Sequence, residues 1–94
     1  MLDFYSIEDA QPKYVSPKQL TYLGGIEWAE FETAQKARII EAHLDYYGDF
    51  SWSSELVRRK LSALAELNPL PMGKLMAILK KAAAAERGVK AFGD

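Results

Sequence analysis

Apolar positions recur at helical spacing along most of this chain, and one segment carries them on two sides. At 3.6 residues per turn, Ile26, Ala29, Thr33, Ala37, Ile40, Leu44 and Tyr47 fall on one stripe. Trp28, Phe31, Ile39, Ala42 and Tyr46 fall on the opposite side. Charges fill both gaps, with Glu27, Glu30, Arg38, Glu41 and Asp45 in one and Glu32 and Lys36 in the other. The pattern predicts a helix over 26–47 with two apolar faces. A surface helix needs one such face. The second must pack on another part of the chain or on another molecule.

The flanking segments read the same way. Ser16-Pro17-Lys18-Gln19 is a helix start, with Ser as N-cap and Pro at the first helical position. A short helix over 17–23 follows and stops at Gly24-Gly25. Ser53 caps a further helix to about Leu67, and Trp52 and Val57 are spaced as a hydrophobic staple. Asn68-Pro69-Leu70-Pro71 is a rigid turn, and Pro71 opens a last helix to about Arg87. Leu61 and Leu79 lie centrally on the apolar faces of these two helices, which predicts that both are buried. No strand signal has comparable length. The expected fold is all-α, a compact three- to four-helix bundle over 16–88. Residues 1–15 form a short extended N-terminal arm, and 89–94 form a C-terminal tail with Phe92 as its anchor.

Composition narrows the class. The chain has 94 residues, of which 49% are hydrophobic, which suits a single domain and argues against disorder. Having no cysteine excludes disulfides and thiolate metal sites, and fits a reducing, cytoplasmic setting. The acidic start, Met1 to Asp9, does not read as a signal peptide. No apolar run approaches the ~20 residues of a membrane span, so no membrane association is expected. The net charge of −1 conceals an asymmetry. Residues 1–50 carry four Lys or Arg against nine Asp or Glu, and residues 51–94 carry eight against four. Such halves can complement each other within one fold or across a homodimer, or can offer a basic surface to an acidic partner.

Candidate chemistry is sparse. His43 is the only histidine, and no cysteine pairs with it. Acid–base work needs a second positioned group and a cleft. Ser51, Ser53 and Ser54 gather at a helix start, where serines serve as caps. Gly24-Gly25 is too short for a phosphate loop. The expectation is a non-catalytic protein with no cofactor. Glu27, Glu30, Glu41 and Asp45 share a helical flank, yet the Glu-x-x-His motif of bundle metal sites does not accompany them, so no metal site is expected.

Two binding functions remain. Trp28, Phe31, Ile39 and Tyr46, bordered by Glu27, Glu30, Glu41 and Asp45, form an aromatic strip with charges beside it, the composition of an interface hot spot. This favours a protein–protein interaction module acting as an adaptor, inhibitor or regulatory subunit, with a homodimer among the possible assemblies. The alternative is a small helix-turn-helix-like nucleic-acid-binding or transcription-regulatory protein using Arg58, Arg59, Lys74, Lys80, Lys81 and Arg87. Its last helix would begin Pro71-Met72-Gly73-Lys74, where only Lys74 could read a base edge.

Overall fold

A computed structural model describes residues 1–7, 20–67 and 72–93. Its architecture corrects the all-α expectation: four antiparallel strands form one sheet, and three helices accompany it. In chain order the elements are β1 (Leu2–Ile7), β2 (Thr21–Ile26), α1 (Trp28–Lys36), β3 (Asp49–Trp52), α2 (Ser54–Ala65), α3 (Gly73–Ala84) and β4 (Gly88–Phe92). The strand order is β2-β1-β4-β3, so the two ends of the chain supply the two central strands.

Residues 2–7 of the expected arm and 89–92 of the expected tail therefore lie at the centre of the sheet. Both carry the period-2 alternation of a half-buried strand. In β1, Leu2, Phe4 and Ser6 point into the core while Asp3, Tyr5 and Ile7 lie on the other face. In β4, Val89 and Ala91 point inward while Lys90 and Phe92 lie outward. Pairing Phe4 with Ala91 and Tyr5 with Lys90 unites residues that are far apart in sequence. Each strand is too short to be recognised alone, and the pairing that stabilises it is not a local signal.

The long helix over 26–47 is also corrected. Ile26 ends β2, and α1 stops at Lys36. The stop is a Schellman motif built without glycine. Arg38 adopts φ 63°, its N–H donates to Gln35 O, and the Ile39 N–H donates to Ala34 O at 2.9 Å. The end of α3 repeats the device, with Glu86 at φ 56° and the Arg87 N–H on Ala82 O at 2.9 Å. Residues 37–48 form a turn-rich loop that Gln35 braces, its Nε2 donating to the carbonyls of Glu41 and Leu44.

The expected short helix over 17–23 is replaced, from Thr21 onward, by β2; residues 17–19, with the Ser16-to-Gln19 cap, lie outside the described residues. So does the turn at Asn68–Pro71. The two later helices occur close to where their periodicity places them. Ser53 caps α2, its Oγ accepting from the Leu56 N–H at 3.2 Å, and the staple residues Trp52 and Val57 are both buried. Leu79 is fully buried, whereas Leu61 is half-buried at the margin of the core.

The core lies between one face of the sheet and the helices. Leu2, Phe4, Leu23, Ile26, Trp52 and Val89 meet Phe31, Val57, Leu64, Leu75, Ile78 and Leu79. The outer face carries Tyr5 edge-on to Tyr22 and to Phe92, with ring centroids 5.3 and 5.5 Å apart. Among the described residues, no helix is long and apolar enough to cross a membrane.

Candidate functional site

The aromatic strip read from the sequence separates into a buried base and an exposed cap. Phe31, Ile39 and Tyr46 are core residues, between 1% and 5% exposed. The Tyr46 hydroxyl reaches back to donate to Ile26 O at 3.3 Å, which fixes the end of the 37–48 loop against the end of β2. Trp28, at the first position of α1, is 50% exposed. Its ring stacks on Phe31 with centroids 5.9 Å apart and meets Tyr46 edge-on at 5.5 Å. Tyr47 is 63% exposed and meets Tyr46 edge-on at 5.0 Å. Two exposed aromatics thus stand on two buried ones. The sequence reading missed Tyr47, because helical projection put it on the other stripe; in a turn, that projection has no meaning.

The four flanking acids also part company. Glu27 is exposed at the N-cap of α1, beside Trp28. Asp45 is exposed and accepts from the Tyr47 N–H at 3.0 Å, which sets the turn that presents Tyr47. Glu30 instead caps a different helix: its Oε2 accepts from the Leu75 N–H in the first turn of α3 at 2.7 Å. Glu41 turns inward. One of its oxygens pairs with Lys60 Nζ, and the other accepts from the Trp52 indole N–H at 3.2 Å. Lys60, only 8% exposed, also donates to Ile39 O and stands 4.5 Å from the centroid of the Trp52 ring. Glu41, Lys60 and the Trp52 indole N–H are thus paired with one another or with the backbone.

The basic residues do not make one surface. Lys74 and Lys81, seven apart on α3, line one groove beside β2, where Lys81 Nζ donates to Leu23 O at 3.2 Å. Lys80 lies about 100° around the same helix. Arg59 is paired with Glu55 at 2.7 Å on α2, next to the exposed Arg58, and Arg87 is half-buried after the end of α3. His43 is exposed in the 37–48 loop.

Burial against its neighbours, and then the Asp3 carboxylate to which its hydroxyl donates at 3.1 Å, push the Tyr22 phenol above its ordinary value of 10.0. Tyr22 itself is 52% exposed, so this marks a local hydrogen bond and not a buried catalytic group.

Comparison with known protein families, curated proteins and solved structures finds no match to this chain.

Proposed function

We propose that this chain is a non-catalytic protein-interaction module whose docking surface is the corner formed by Trp28 and Tyr47. The observation that carries the reading is that half of the Trp28 surface lies open to solvent although its ring is held from two sides by buried aromatics. A tryptophan held this way has already lost its rotamer freedom, so a partner that covers it does not have to order it. Large aromatics in that condition supply most of the energy at interface hot spots. Glu27 and Asp45 beside the two rings select a partner surface rich in Lys or Arg, whose cations can also lie over the aromatic faces. A cysteine-free composition suits a module working in the cytoplasm.

The test is co-purification of the tagged chain from its native host. The reading expects a basic partner retained by the wild-type chain and lost from both Trp28→Ala and Tyr47→Ala. Retention of the same partners by both variants would refute it.

A further inference from the structure

A second surface has the opposite character. β2 is an outer strand of the sheet, and no further strand pairs with it among the described residues. Its ladder with β1 shifts register between Phe4 and Tyr5: Gly24 opposes Phe4 and Tyr22 opposes Tyr5, which leaves Leu23 as the extra residue of a bulge. The Leu23 carbonyl therefore lies outside the ladder, and the Lys81 ammonium donates to it. Gly24 takes φ +145°, a conformation open to glycine, and a side chain at Gly25 would collide with Met1 and Asp3. Among the described residues, no strand pairs with the outer side of β2, whose Leu23 and Ile26 carbonyls accept from Lys81 and Tyr46 side chains.

Beside this edge runs a groove of about 310 Å³ between β2 and α3. Met1, Tyr22, Gly24 and Gly25 form one wall, and Lys74, Ala77, Ile78 and Lys81 form part of the other. Among its described lining residues the charged side chains are the two lysines; the Asp3 carboxylate lies behind the wall, where it accepts from the Tyr22 hydroxyl. Lys74 has no ion-pair partner among the described residues. The lysines are two helical turns apart, about 10 Å along α3. An extended chain places side chains of one face about 7 Å apart, a spacing that two flexible lysine stems can follow.

We propose that this groove binds an extended acidic peptide segment by strand addition to β2, with carboxylates at alternate positions meeting Lys74 and Lys81. The outer edge of β2 provides the backbone hydrogen bonds, and the lysines provide the selection by charge. In the free protein Lys81 occupies the Leu23 carbonyl; an added strand's N–H takes that acceptor and releases the ammonium for a carboxylate. The opposite edge of the sheet is a poor competitor. β3 has four residues and exposes Asp49, which would repel an acidic strand.

The experiment uses a fluorescein-labelled peptide of alternating Val and Glu, titrated into the full chain. The proposal expects saturable binding with amide shifts at Gly24 and Gly25. A K74E/K81E variant, whose changes are both at exposed positions, should weaken binding by at least ~10-fold while leaving the circular dichroism unchanged. The same peptide N-methylated at alternate residues should lose binding as strongly, since it cannot pair with a strand edge. Trp28→Ala should bind the peptide as the wild type does. No binding, or equal binding of the N-methylated peptide, or equal binding of a Val-Lys peptide, would overturn the proposal. So would a wild-type dimer in sedimentation that K74E/K81E dissociates, because a second copy would then occupy the groove.

Discussion

The two tryptophans stand at two corners of one molecule and differ in almost every respect that matters. Trp52 is 2% exposed, forms a mutual ring cluster with Phe4 and Phe50 at centroid distances of 5.9 and 5.2 Å, and gives its indole N–H to Glu41. A lysine stands over its ring, and that lysine is paired in turn. Trp28 has comparable aromatic support on its inner side and water on the outer. The first corner is closed, with each polar group satisfied inside the chain. The second is equally well built but covered on one side only. The same side chain is thus structural where its surroundings are complete and available for recognition where they are not.

Substitutions separate the two corners, and the largest effect belongs to the closed one. Trp52→Ala should lower unfolding stability by about 3–5 kcal/mol, read from denaturant midpoints, since it empties a filled core site. A loss under about 1 kcal/mol would mean that the corner is not closed. Glu41→Ala should lower stability by about 1–3 kcal/mol, because it leaves the Lys60 ammonium with only the Ile39 carbonyl and the Trp52 ring. The double change Glu41→Ala with Lys60→Met should recover much of that loss, and failure to do so would assign the effect to packing instead of charge.

A smaller effect lies on the turn between the corners. Arg38 holds a left-handed conformation at the end of α1, so Arg38→Gly should raise stability by about 1 kcal/mol, some 4–8 °C in Tm. A lower Tm would show that the arginine side chain stabilises the turn by more than its backbone destabilises it. The smallest effect is at Tyr22. Its phenol titrates higher in the folded chain than in the unfolded one, so its contribution is complete below pH 10.0 and is lost as pH rises through the raised value. Tyr22→Phe should therefore flatten the alkaline decline in stability. An unchanged decline would place that titration elsewhere.

The contrast also explains what the sequence could convey. α2 and α3 were legible because their signals are local: a serine cap, an apolar stripe, a stop. The strands of the termini were not, because Phe4 finds Ala91 only in three dimensions. The helix over 26–47 was read as continuous because its periodicity persists through a break made by Arg38, a residue that carries no break signal. That error mixed two environments into one strip. Phe31 and Tyr46 both touch Trp28, but spacing alone does not tell the buried base from the exposed cap. Glu30 and Glu41 looked like solvated flank residues because their partners, Leu75 and Lys60, come from other elements. The β2–α3 groove had no sequence signature beyond Gly24-Gly25, which read as a helix stop.

We propose that the Trp28 corner serves a partner and not the fold. The most direct test is one variant measured twice: the thermal midpoint of Trp28→Ala, and its affinity by calorimetry for the partner recovered with the wild-type chain. A stability loss of no more than about 1 kcal/mol is expected, because half the side chain is already in water, together with at least a ~10-fold loss of affinity. A midpoint that collapses as for Trp52→Ala, or an affinity that does not change, would contradict it.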